Sequence, residues 1–97
     1  MNLEQLRKLK PQIQALARQY RIDPESIRVF GSVARGDAGP DSDIDFLVRT
    51  LPGCGLFRIG GFYGGLEDLL HTKVDIVTDD SISPYLGPSI LASATPL

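Results

Sequence analysis

Leu3, Leu6, Leu9, Ile13, Leu16, Ala17 and Tyr20 recur at three- and four-residue spacing, the pattern of an apolar stripe along one helix face. Asn2 with Gln5 three positions on forms a capping-box pair, and Pro11 cannot sit inside an unbroken helix. The pattern therefore predicts a helix over 2–20, broken near Lys10, with Pro11 at a first helical position. Asp23-Pro24-Glu25 predicts a turn, and Ile27 to Phe30 a short strand ending at Gly31-Ser32. After a loop over residues 36–42, Asp43-Ile44-Asp45-Phe46-Leu47-Val48 predicts a mostly buried strand, and Lys73 to Thr78 predicts another. Between them Ile59, Phe62, Tyr63, Leu66, Leu69 and Leu70 line one face of a helix beginning at residue 59. Gly60, Gly61, Gly64 and Gly65 each cost that helix about 1 kcal/mol relative to Ala, so its start should be weak. Ser83-Pro84 supplies an N-cap and first-turn pair for a last short helix around Tyr85 to Ala92, divided at Gly87-Pro88. Helices interleaved with strands, without repeat or linker, predict one α/β (α+β) domain over residues 1–97 around a small sheet.

Composition narrows this reading. A length of 97 residues, with 42% apolar and 23% charged side chains, fits one soluble core and excludes disorder, collagen-like repeats and coiled coil. No apolar run is long enough to span a membrane, and Met1-Asn2-Leu3-Glu4 lacks the start of a secretory signal, so a cytoplasmic protein is expected. The single cysteine, Cys54, has no nearby Cys or His for a zinc site and reads as a small filler in a Gly-rich loop. Arg7, Lys8, Lys10, Arg18 and Arg21 oppose only Glu4 in the first 21 residues. A solvated helix face accounts for them, and no direct nucleic-acid binding is expected.

The carboxylates change the picture. Asp43 and Asp45 flank Ile44 in an apolar strand; alternation puts both on one face with Cα atoms ~6.6 Å apart. Asp75, enclosed by Val74 and Ile76, joins them if the two strands are neighbours. Converging carboxylates need a cation, and an all-oxygen donor set suits Mg²⁺ or Mn²⁺ rather than zinc. Upstream, Gly31-Ser32 ends a strand, and Val33-Ala34-Arg35-Gly36 can open a helical turn whose backbone N–H groups cradle phosphate. A phosphate cradle, a basic residue and an acidic cluster are the parts that phosphoryl or nucleotidyl transfer requires. Competing motifs fail in detail: no P-loop string is present, the G-x-G at Gly53 meets Arg58 where its last glycine belongs, and an EF-hand loop starting at Asp41 meets Phe46 and Pro52 at its glycine and glutamate positions.

Gly31-Ser32, ten intervening residues and Asp43-Ile44-Asp45 resemble the G-S-x10-D-x-D pattern of the polymerase-β-type nucleotidyltransferase superfamily. The fuller string Val29 to Gly36, with Ser42 to Asp45, Val74 to Val77 and Ser83-Pro84-Tyr85-Leu86, is similar to the minimal nucleotidyltransferase (MNT) family. The resemblance implies a small mixed sheet flanked by helices, binding a nucleoside triphosphate. By position, Asp43 and Asp45 would hold two Mg²⁺ ions, with Mn²⁺ as a substitute. Asp75 would complete the cluster and help activate the acceptor hydroxyl, Gly31 and Ser32 would hold the triphosphate, and Arg35 would steady a phosphate. Family members of this size commonly serve as antitoxins to HEPN-domain toxins, binding the toxin and transferring AMP from ATP to a tyrosine hydroxyl. The resemblance allows a rival, a non-catalytic subunit that neutralises its partner by contact alone. Transfer to a small molecule would ordinarily need a further domain.

The chain departs from that family where Gly60, Gly64 and Gly65 replace acidic residues and Arg58 stands where an acidic one is frequent. The small-residue face is then open to a partner helix or to solvent. Tyr20, Tyr63 and Tyr85 occupy helical apolar positions and read as packing. His71 falls at a helix C-terminus, where the dipole favours a cation.

Overall fold

A computed structural model describes residues 1–37, 39, 42–79 and 87–97, apart from the Ser89 side chain. The expected N-terminal break is present: α1 spans Leu3–Lys8 and α2 spans Lys10–Gln19, with Pro11 in the first turn of α2. Both halves of the capping box form, Gln5 N–H donating to Asn2 Oδ1 at 2.8 Å and Asn2 N–H to Gln5 Oε1 at 2.9 Å. At Asp23-Pro24-Glu25 the chain turns as predicted, the Asp23 side chain accepting from Glu25 N–H at 3.0 Å and its carbonyl from Ser26 N–H at 3.1 Å. An ion pair between Asp23 and Arg49 ties this turn to the segment leaving the sheet.

Strand β1 (Arg28–Phe30) runs directly into α3 (Gly31–Arg35); β2 (Ile44–Val48), α4 (Leu56–Leu70) and β3 (Val74–Thr78) follow, then α5 (Gly87–Ser93) and β4 (Thr95–Pro96). Among the described residues the sheet order is β3-β2-β1-β4, with β2 and β3 parallel and the other two pairs antiparallel, which makes it the mixed sheet expected. Two residues, one of them proline, were too short a signal to predict β4. Pro96 is tolerated there because β4 lies at an edge, where its missing N–H breaks no ladder. Residues 80–86 lie outside the described part, including the Ser83-Pro84 cap and the start of the last predicted helix. In the described part, Gly87-Pro88 opens α5 and does not divide it.

Alternation along β2 sorts its side chains. Ile44, Phe46 and Val48 enter the core with Val29, Val74, Ile13, Ala17, Phe62 and Leu66, while Asp45 and Leu47 take the opposite face. A one-residue slip of β2 would exchange those sets, so the core fixes which face carries the carboxylate.

Helix α4 starts at Leu56, three residues before the predicted start, because Leu56 and Phe57 are apolar yet 84% and 98% exposed and so fall off the apolar stripe. Its glycines divide into two kinds. A Cβ on Gly61 would press into the Tyr20 ring, 2.9 Å from two of its carbons, and one on Gly65 would meet Leu16 at 3.0 Å. These two let α4 approach α2 of the same chain, so half of the small-residue face is used internally; Gly60 and Gly64 have open space beside them. We therefore expect Gly60→Ala and Gly64→Ala to stabilise the fold by up to about 1 kcal/mol each through helix propensity. Gly61→Ala should destabilise it by about 1–3 kcal/mol despite the same propensity gain. Urea unfolding reads both signs, and shifts of one sign at all three positions would contradict the close α2–α4 contact.

Candidate active site

The strand pairings put three residues in one row across the sheet face opposite the core cluster. Phe30 of β1 is opposite Asp45 of β2, and Asp45 is opposite Asp75 of β3. Asp43 lies just before β2, which starts at Ile44 and not at Asp43 as predicted; its side chain is exposed, as is that of Asp75, and Asp45 is half-buried.

Gly31 is the first residue of α3 and the closest neighbour of Asp45. Its φ of +71° lies in the left-handed region, and a Cβ there would collide with Asp45 Oδ2 and stand 3.2 Å from its Cγ. Glycine is thus required twice at this point, for the backbone turn and for the approach of the carboxylate. Phe30, the N-cap residue, makes no side-chain cap, so the first amides of α3 are left for another acceptor. Ser32 occupies the same turn, half-buried. Arg35 closes α3, with its guanidinium paired to Asp37 at 3.3 Å on the surface.

Charge on Asp45 is disfavoured. Burial, then the neighbouring Asp75 and Asp43 carboxylates, push its pKa above the ordinary carboxylate value, and Arg35 opposes them in part. Asp43, Asp45, Asp75 and Arg35 therefore share one electrostatic neighbourhood. Among the described residues no three acidic, histidine or cysteine side chains are drawn together closely enough to hold a metal ion; carboxylates with no cation between them repel.

A strand, a glycine-led helical turn and two aspartates on neighbouring strands thus meet at one end of the sheet, and the chain as a whole is similar to known proteins. The family model described as the nucleotidyltransferase domain matches residues 6–95. The chain belongs to the nucleotidyltransferase domain family. A protein of Methanocaldococcus jannaschii, provisionally named a protein adenylyltransferase, is 39% identical over 88 residues, covering 90% of this chain and 85% of its own. A solved structure provisionally described as a minimal nucleotidyltransferase superposes with a TM-score of 0.86 at 39% identity, covering 100% of this chain and 97% of the other. The fold also recurs, at 21% identity and a TM-score of 0.67, in a complex of a tri-AMPylated Shewanella oneidensis HEPN toxin with an MNT antitoxin; the match covers 93% of this chain and 69% of that one. Among the described residues no helix of this nucleotidyltransferase is long and apolar enough to cross a membrane.

One residue beside the carboxylate row is not evident from the sequence alone. The apolar spacing places Tyr63 among the packing residues, and its ring does pack against the core. Its hydroxyl, however, donates to Asp75 Oδ1 at 3.1 Å and accepts from Ile76 N–H at 2.9 Å. The available signal was chemical: a tyrosine on a helix that covers a strand carrying an aspartate needs a partner for its hydroxyl. Burial, together with the bond to Asp75, holds the Tyr63 phenol above its ordinary pKa, so it remains a proton donor at neutral pH. One pleat along the same sheet face from Asp45, a cleft of about 430 Å³ is bordered by Arg28, Leu47, Arg49 and Leu91.

The raised pKa of Asp45 has a consequence for stability. The folded state carries its charge at a disadvantage that the unfolded chain does not share, so stability is lost as pH rises from the ordinary carboxylate range through the raised pKa of the folded state. In the absence of divalent metal, Asp45→Asn should melt higher than wild type at pH 7, and the difference should close as pH falls below that window. Thermal melts of the two proteins from pH 3.5 to 7 measure it.

Proposed function

We propose that this nucleotidyltransferase is a metal-dependent protein adenylyltransferase, transferring AMP from ATP to a hydroxyl, in particular a tyrosine, of a HEPN-type toxin, and acting as the antitoxin of the pair. The observation that carries the reading is the row formed by Asp45 and Asp75, with Gly31 pressed against Asp45 at the mouth of α3. The relatives described as protein adenylyltransferases and the fold shared with the MNT–HEPN complex support the acceptor class. Since the proposed reaction consumes ATP, the cytoplasm is its expected place.

Asp43, Asp45 and Asp75 are the residues that would hold Mg²⁺, or Mn²⁺ in its place. Their donor set is all oxygen; burial and then the neighbouring carboxylates raise the Asp45 pKa, and a cation would relieve the repulsion between those carboxylates. When bound, such ions neutralise charge on the phosphates and on the attacking and leaving oxygens. The chain's own groups do the rest. The uncapped amides of α3 at Gly31 and Ser32 hold phosphate oxygens. Arg35 turns from Asp37 to steady the triphosphate. Asp75 takes the proton of the acceptor hydroxyl as its oxygen bonds to the α-phosphorus, and the bond to the β-phosphate oxygen breaks, releasing pyrophosphate.

Purified protein, the HEPN-type partner, α-labelled ATP and Mg²⁺ should give label on the partner, and chelation of the metal should abolish it. Asp45→Ala should lower the rate roughly 100-fold or more, as expected when a charge-stabilising group is removed from a transfer site, with the fold retained. Absence of label with wild-type protein would refute the enzymatic reading. If Asp45→Ala still neutralised the toxin as well as wild type does, stoichiometric binding would replace modification as the mode of action.

A further inference from the structure

The Tyr63 hydroxyl is superfluous to packing, since phenylalanine would fill the same place in the core. Its two hydrogen bonds follow from the position of β3. Among the described residues that strand is an edge of the sheet, and the Lys73 carbonyl accepts from Ile44 N–H at 3.1 Å. In a parallel ladder alternate residues face the neighbouring strand, so Lys73, Asp75 and Val77 direct their backbone groups at β2 and the Ile76 N–H points outward. Tyr63 reaches around this edge from α4 and accepts that N–H at 2.9 Å. A phenol has a single proton, and it is donated to Asp75 Oδ1 at 3.1 Å. The side chain of Asp75 is otherwise exposed; this bond selects one of its rotamers and occupies Oδ1, one of the two oxygens of a residue that stands opposite Asp45 on the ladder.

We propose that Tyr63 is a positioning residue, holding the Asp75 carboxylate in the orientation that binds the divalent cation. The inference rests on the reading of Asp75 as a cation ligand given under the proposed function. Carboxylates that ligate metals are themselves commonly held by a hydrogen bond from behind, and its loss typically weakens metal affinity or activity ~10–100-fold.

The test uses Tyr63→Phe in wild-type and Asp75→Asn backgrounds. Mn²⁺ affinity is measured by calorimetry with a non-hydrolysable ATP analogue bound, beside kcat, KM for ATP and urea unfolding. In the wild-type background, Tyr63→Phe should weaken Mn²⁺ binding roughly tenfold and lower kcat to a similar degree, with KM for ATP unchanged. In the Asp75→Asn background it should weaken Mn²⁺ binding no further, because the two residues act as one unit. Unchanged Mn²⁺ affinity in the first comparison overturns the proposal, whatever happens to stability. An equal loss in both backgrounds also overturns it, since Tyr63 would then act only by holding the sheet edge. If wild-type protein binds Mn²⁺ but labels no partner, adenylyl transfer fails as the function while the Mn²⁺ comparison still decides the role of Tyr63.

Discussion

Two aspartates held opposite each other on a parallel ladder repel, and the surroundings of Asp45 and Asp75 set how strongly. Asp45 cannot swing away freely, because β2 is fixed by Ile44, Phe46 and Val48 in the core and Gly31 lies against the Asp45 carboxyl. Asp43 adds a third negative charge, and Arg35 offsets only part of the total. A side-chain pair placed in this way lowers the stability of the fold, and a cation bound there as proposed would relieve that cost.

The rest of the molecule holds that row in place. The close contact of α2 and α4 through Gly61 and Gly65 covers the inner face of the sheet with little bulk. Tyr63 then lies beside the outer edge of β3, where its ring belongs to the core and its hydroxyl to the site. Parallel pairing of β2 with β3 and antiparallel pairing of β1 with β2 bring the end of β1, the start of α3 and both aspartates to one end of the sheet. This topology brings the first amides of α3 beside a carboxylate pair from under 50 residues of intervening chain, which is the arrangement the proposed nucleotidyl transfer draws on.

Much of this was legible in the sequence because the signals were local. The capping box, Pro11, the Asp23 turn and the alternation in Asp43 to Val48 each act over a few residues, and the structure follows them closely. What was not legible depended on tertiary neighbours. Leu56 and Phe57 hid the start of α4 because an exposed apolar residue carries no periodic signal. Gly60 and Gly61 are alike in the chain, and only the position of Tyr20 distinguishes them. For Asp75, whether its strand lay next to that of Asp45 was left conditional, since strand order is not written in any single segment. Tyr63 was read for its ring, and the partner of its hydroxyl could be known only once α4 was placed against the edge of β3.

The central claim is that the row of Asp45 and Asp75 is a cation site, and its most direct test is diffraction from crystals grown with Mn²⁺ and a non-hydrolysable ATP analogue, using the anomalous signal of manganese. The account predicts an anomalous peak within coordination distance, ~2.0–2.2 Å, of carboxylate oxygens of both Asp45 and Asp75. A bound nucleotide with no manganese at these two carboxylates, or with manganese held by other residues, would contradict it.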